Sequence, residues 1–155
     1  GYMTLEQAKG RWAEDLIVIL NTDKKLIESI RSGRAPRSVV EFEEYYDTMS
    51  RRNGAKVYAL VENDHAIGLG MLAYRDFVAN SARLSFWIGT HYMTPKSVDD
   101  AFNLLMDEAI AMDLEVISEV MTDQDTWVLE VWERYGGKRR DIAADGRVSM
   151  MINLR

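Results

Sequence analysis

The chain has 155 residues, 47% apolar and 28% charged, which is the balance of one folded domain, 1–155, with a core large enough to stand without staples. It contains no cysteine, which excludes disulfides, thiolate metal sites and cysteine nucleophiles. A net charge of -6 speaks against broad nucleic-acid binding. No apolar run exceeds five residues, as in 16–20, far short of the roughly 20 a bilayer span needs. The expected setting is the cytoplasm, with no membrane partner.

Residues 3–8 read as a strand, with Met3, Leu5 and Gln7 alternating against Thr4 and Glu6. Trp12, Leu16, Ile19 and Leu20 then recur at helical spacing. Asp23 is placed to cap a short helix carrying Leu26, Ile27 and Ile30, and Gly33 is a natural stop. Residues 38–52 give the clearest helix. Ser38 and Glu41 form a capping box, Val39, Phe42, Tyr46 and Met49 share a face, and Gly54 ends it. Residues 56–62 read as a strand, Asn63-Asp64 as a tight turn into a second strand at 65–74, and 82–88 as a third, so an antiparallel meander is expected.

The period then changes. Val98, Phe102, Leu105, Ala109 and Met112 form a helical stripe, and residues 115–121 read as a strand. A helix over 123–135 follows, with Val128, Val131, Trp132 and Tyr135 inward and Gly136-Gly137 closing it. The tail reads as a hairpin around Asp145-Gly146, with Val148, Met150, Ile152 and Leu154 alternating in its last strand. Written as β-α-α-β-β-β-α-β-α-β-β, this is a mixed α/β domain.

Candidate chemistry is sparse. His65 and His91 are the only side chains that titrate near neutrality when unperturbed. They stand far apart in a chain without cysteine, so no metal site is expected. Asp123, Asp125 and Glu130 are able to bind a cation or an amine, or to cap a helix and decorate its wet face. Lys138, Arg139 and Arg140 suit a phosphate or an acidic partner, or simply a solvated strand start.

At Phe86-Trp87-Ile88-Gly89 the sequence resembles the GNAT superfamily of N-acetyltransferases, in particular its ribosomal-protein alanine acetyltransferase branch. There a strand ending in Trp-Ile-Gly runs into a glycine-rich loop, a helix, a strand and a second helix. Tyr92 falls at its expected offset. Asp100-Ala101-Phe102 stands where that branch has Glu-Ala-Leu, and residues 131–137 stand where it ends its second helix. The element order agrees from Met3 to Leu154. The resemblance implies acetyl-CoA as co-substrate, held by Trp87, Ile88 and Gly89 on the strand, by Thr94, Lys96, Ser97 and Val98 at the helix start, and by Asp125 and Trp132 on the second helix.

Several positions depart from the family. Met93-Thr94-Pro95-Lys96-Ser97-Val98 replaces the glycine-rich loop. Thr94 and Pro95 start a helix well, yet Pro95 has no amide to give a phosphate, and Asp99 and Asp100 repel one. Arg83 falls where an acid is often found. Asp125 replaces an Asn, Val128 a Ser, and Trp132 the general-acid Tyr, whose work an indole N–H cannot do. Tyr135 lies one turn later. The catalytic candidates are therefore His91, Asp125 and Tyr135, with water as an alternative base.

The function this implies is acetyl transfer from acetyl-CoA to a primary amine of a protein or small molecule. The alternative is a catalytically inactive GNAT-fold binding or structural module, of viral or phage type. A homodimer or a protein partner is compatible with either.

Overall fold

The computed structural model describes residues 2–30 and 33–155. A seven-stranded sheet has the order β1-β2-β3-β4-β5-β7-β6. Its strands are β1 (Thr4–Gln7), β2 (Lys56–Glu62), β3 (His65–Asp76), β4 (Ser81–Ile88), β5 (Val116–Thr122), β6 (Lys138–Ile142) and β7 (Arg147–Asn153). Neighbours run antiparallel except β4 and β5, which run parallel. The helices are α1 (Gly10–Thr22), α2 (Lys24–Ile30), α3 (Val39–Asn53), α4 (Pro95–Ala111) and α5 (Thr126–Arg134).

Three helical segments are expected ahead of the meander, though the order β-α-α-β-β-β counts only two, and the structure has all three. The short segment behind Asp23 is a helix in its own right, because Asp23 Oδ1 accepts the Leu26 N–H at 3.1 Å and starts it independently of α1. Its expected stop at Gly33 lies beside residues 31–32, outside the described residues. The first strand is shorter than expected. Met3 and Ala8 are buried but lie outside the ladder, which runs from Thr4↔Val61 to Gln7↔Tyr58.

The capping box on α3 is half formed. Ser38 Oγ accepts the Glu41 N–H at 3.1 Å, but the Glu41 carboxylate reaches past Ser38 to the Arg37 N–H at 2.7 Å. The turn between β2 and β3 matches expectation. Asn63 and Asp64 both have positive φ, 51° and 63°, the type I′ geometry whose twist suits a two-residue hairpin.

The core lies on both faces of the sheet. On one face α4 and α5 cover Leu72, Leu84, Ile88, Ile117 and Met150. On the other, α1 and α3 cover Ala59, Val61, Ala66 and Leu69 around the buried Phe42 and Leu16. The second layer, α1, α2 and α3, rests on β2, β3 and β4.

The feature that positions the site is a failure of pairing. β4 and β5 share only three register pairs, Ser81↔Val116, Ala82↔Ile117 and Arg83↔Ser118. Beyond them each strand keeps its outer neighbour. β4 stays on β3 from Leu84↔Leu72 to Ile88↔Gly68, and β5 stays on β7 as far as Thr122↔Arg147. The two strands part into a V with a backbone edge on each arm.

Gly68 anchors one arm. A Cβ there would run into the Trp87 carbonyl oxygen and the Ile88 Cα, so β3 approaches β4 as only glycine permits. Gly68→Ala is expected to lower unfolding free energy by about 1–3 kcal/mol through overpacking, read by denaturant titration.

Candidate active site

A cavity of about 610 Å³ occupies the opening between the two strands. β4 contributes Ser85, Phe86 and Trp87, and β5 contributes Glu119, Val120 and Met121. α5 supplies Trp127, Val128 and Trp132 on one side, and α2 supplies Lys25, Leu26 and Ser29 on the other. Phe86 and Trp127 meet edge to face at 6.1 Å between centroids, so an aromatic pair links β4 to α5 beside the opening. The lining is mainly apolar with few polar groups, the usual make-up of a small-molecule site.

Glu119 is the group that makes this cavity chemically capable. It follows Ser118, the last β5 residue paired with β4, and so stands at the vertex of the V. Its register partner is Met150, and its strand neighbours of the same orientation are the buried Ile117 and Met121. A carboxylate therefore occupies a position whose pattern calls for an apolar side chain. Burial pushes its pKa up to about 7. The Val120 N–H, donated to Oε1 at 2.8 Å, and the charge of Arg83 only partly oppose that rise. A carboxyl that titrates near neutrality can both take and release a proton there.

Sequence reasoning missed this residue. The signal was present: in Ile117-Ser118-Glu119-Val120-Met121 an acid sits in phase with the buried Ile117 and Met121.

Of the expected site residues, Trp87, Ile88, Asp125 and Trp132 line the cavity. Trp132 is 1% exposed and edge-on to Phe102 at 5.2 Å, so it serves as wall and core together. Asp125 folds back on the end of β5, its Oδ2 accepting the Thr122 N–H at 3.2 Å and the Thr122 hydroxyl at 3.0 Å. The carboxylate thus fixes the strand-to-helix turn.

His91 and Tyr135 stand outside the cavity. His91 lies in the 3-10 turn Thr90–Tyr92, exposed, with its ring edge-on to Tyr92. Tyr135 stacks on Phe102 at 4.8 Å and accepts the Asn103 side-chain N–H at 2.8 Å. Burial, with Asp99 adding to it, raises the Tyr135 hydroxyl above its ordinary pKa and makes it a poorer acid. Asp123 and Glu130 are exposed. Among the described residues no group of three or more His, Cys, Asp or Glu side chains is placed to share a metal ion.

The rim on the α2 side is latched. Asp23 Oδ2 accepts the Thr90 N–H at 2.7 Å and Oδ1 accepts the Thr90 hydroxyl at 2.8 Å, tying α2 to the exit of β4. Burial alone would raise this carboxyl, but the Thr90 and Leu26 donors outweigh it and hold the group below its usual range.

The start of α4, where the resemblance puts the diphosphate of acetyl-CoA, is closed by its own side chains. Thr94 Oγ1 accepts the Ser97 N–H at 3.0 Å, and Ser97 Oγ accepts the Thr94 N–H at 2.9 Å, a complete capping box. Val98 N–H goes to the Thr94 carbonyl, and Pro95 has no N–H. Lys96 Nζ is bound to Asp100 at 2.6 Å, a contact that holds the ammonium in its charged form, and Arg134 is bound to Asp99 at 2.5 Å. Gly89, Thr94, Lys96, Ser97 and Val98 do not line the cavity, which ends at Thr90 and Met93. The α4 start thus offers the diphosphate of acetyl-CoA a single unpaired amide, that of Lys96, among paired cations and acids, and does not fit it, whereas the opening is apolar and bordered by a backbone edge of β4.

No protein-family profile and no curated protein sequence matches this chain. Solved structures do. A probable acetyltransferase superposes with a TM-score of 0.82 at 16% identity, over 99% of this chain and 94% of that one. Spermidine N-acetyltransferase from Vibrio cholerae, solved with CoA and spermine, gives 0.77 at 15% over 97% and 95%. The microcin C7 self-immunity acetyltransferase MccE, solved with acetyl-CoA and AMP, gives 0.77 at 15% over 99% and 93%.

Asp23→Ala removes an acceptor from three donors and is expected to cost about 1–2 kcal/mol at pH 7. Because the folded-state pKa is depressed, the contribution is present above the unfolded value of 3.8 and lost as pH falls through the folded value. The gap in denaturation midpoint between wild type and variant should therefore close in acid.

Proposed function

The chain has the fold of the GNAT acetyltransferases, and from that premise we propose that it transfers an acetyl group from a pantetheine thioester such as acetyl-CoA to a primary amine of a small molecule or protein. The observation that carries this reading is Glu119, a carboxyl with a pKa near 7 at the vertex of an apolar cavity between two parted parallel strands.

The donor supplies an electrophilic thioester carbon and a thiolate leaving group. The chain supplies everything else. The β5-facing backbone edge of residues 84–88 offers hydrogen-bond partners to an extended arm, and an N–H on that edge stabilises the charge that develops on the carbonyl oxygen. Such contacts do not depend on side-chain identity. Glu119, ionised, takes the proton from the attacking amine as the new C–N bond forms and the C–S bond breaks. Phe86, Trp127 and Trp132 exclude water from the reacting centre. No side-chain acid is needed for the sulfur. A thiol of pKa about 8.5 leaves as thiolate and gains its proton from water, which accounts for the tolerance of Trp132 where the family has tyrosine. The α2 wall, with Lys25 and Ser29, faces the acceptor. This chemistry suits the cytoplasm, where thioester donors are made.

The self-capped start of α4 favours a second reading, a GNAT-fold binding module without a donor site. Thermal denaturation separates the two. The enzyme should be stabilised by about 2.7 kcal/mol at a hundredfold excess of acetyl-CoA over Kd, and the module not at all.

Glu119→Gln should lower kcat/KM by about 10²–10⁴ with an active amine, measured as thiol release. In the wild type kcat/KM should rise with pH through about 7 as the carboxylate forms, and the variant should lack that limb. Stability moves the other way. The folded pKa is raised, so the protonated carboxyl stabilises the fold below the unfolded value of 4.5, and this contribution is lost as pH rises through about 7. The variant should remove that slope.

A further inference from the structure

We infer that the donor is recognised through its acyl-pantetheine arm alone, so that pantetheine thioesters lacking the nucleotide serve as well as acetyl-CoA. This rests on the acetyl-transfer reading above and goes further, because it names the donor class that the site can distinguish.

The argument begins at α4. A diphosphate needs free N–H donors and a positive field. The Ser97 and Val98 N–H groups both go to Thr94, the Thr94 N–H goes to Ser97 and Pro95 has none, so of residues 94–98 only Lys96 keeps an unpaired N–H, one donor where a diphosphate needs several. Ser97 is 4% exposed and its hydroxyl also reaches the Tyr92 carbonyl at 2.9 Å, so the cap is packed in place and cannot swing aside cheaply.

The charges agree. Lys96 and Arg134 are the cations of this corner, and each is already held by an acid of α4, Asp100 and Asp99. Glu62 and Glu130 add further negative charge beside them. Both ion pairs are exposed and weak, so the obstacle to a diphosphate at this corner is the field of the four carboxylates around the two cations.

The arm meets no such obstacle. The cavity reaches from the vertex at Glu119 to the rim at Thr90 and Met93, and the backbone edge of β4 beyond Arg83 runs along it, while the Val120 and Thr122 N–H groups of β5 are already bonded to Glu119 and Asp125. The acyl end is thus seated and the nucleotide end is left in solvent. For every donor of this class the amine nitrogen bonds the acetyl carbon, the C–S bond breaks and a thiol leaves, so the donors differ only beyond the arm.

The test compares acetyl-CoA, S-acetyl-4′-phosphopantetheine and S-acetylpantetheine with the full chain and one acceptor amine, reading kcat/KM by amide formation. Values within about threefold of one another are expected. A preference for acetyl-CoA of about a hundredfold, the worth of two charge-assisted hydrogen bonds at about tenfold each, would overturn the inference while leaving acetyl transfer intact. If no donor is turned over and none shifts the melting temperature, acetyl transfer itself fails and this inference with it. As a second readout, 3′-phospho-ADP at millimolar concentration should neither inhibit nor raise the melting temperature. Inhibition competitive with acetyl-CoA would show a nucleotide seat and overturn the inference.

Discussion

The rest of the site depends on the parting of β4 and β5 after three register pairs. A parallel pair that stops while both strands continue leaves backbone groups on two facing edges that need partners; on β5 Glu119 and Asp125 take the Val120 and Thr122 N–H groups, and the edge left open is that of β4. The opening persists because each arm is held from outside. β4 is clamped to β3 by the close approach at Gly68, and β5 is paired with β7 along its whole length. The V is therefore a slot held open from both sides rather than a frayed edge.

That slot also sets the chemistry of Glu119. A carboxyl in phase with Ile117 and Met121 costs stability when ionised, and a core built only for packing would place an apolar residue there. At the vertex that cost is offset by use if, as proposed, a reacting carbonyl and an amine meet there. The Val120 N–H and Arg83 keep the group from being driven fully neutral. Burial and partial compensation together leave it poised near neutral pH, which neither would achieve alone.

Much of the fold could be read along the chain because its signals are local. The positive φ at Asn63 and Asp64, the Thr94-Pro95 start of α4, the Ser38 cap and the alternation of Val148, Met150 and Ile152 are each written within a few residues. Local signals do not fix every partner. Glu41 satisfies the neighbouring Arg37 rather than Ser38, and Asp23, which caps α2 as its position implies, also serves Thr90, 67 residues away. The site was less legible for the same reason. Which strands part, and where, is a property of pairing between segments distant in sequence, so Glu119 looked like one more acid on a strand. His91 and Tyr135 drew notice by their chemistry, but their backbones carry them out of the cavity.

On the proposed reading the two ends of the donor site make different demands on sequence, so that one can persist without the other. The arm is seated by backbone edges, which survive substitution as long as the strands part in the same place. Identities of 15–16% to structures of the same fold are compatible with that. The diphosphate seat depends on amides left unpaired at a helix start, and those are lost as soon as a side chain caps them. The Thr94–Ser97 box is worth on the order of 1 kcal/mol to α4, so closing the seat stabilises the helix. A glycine-rich start holds its donors free at a cost in helix stability, repaid only when a nucleotide binds there. In this chain the helix has been stabilised instead, and on the proposed reading recognition is left to the slot.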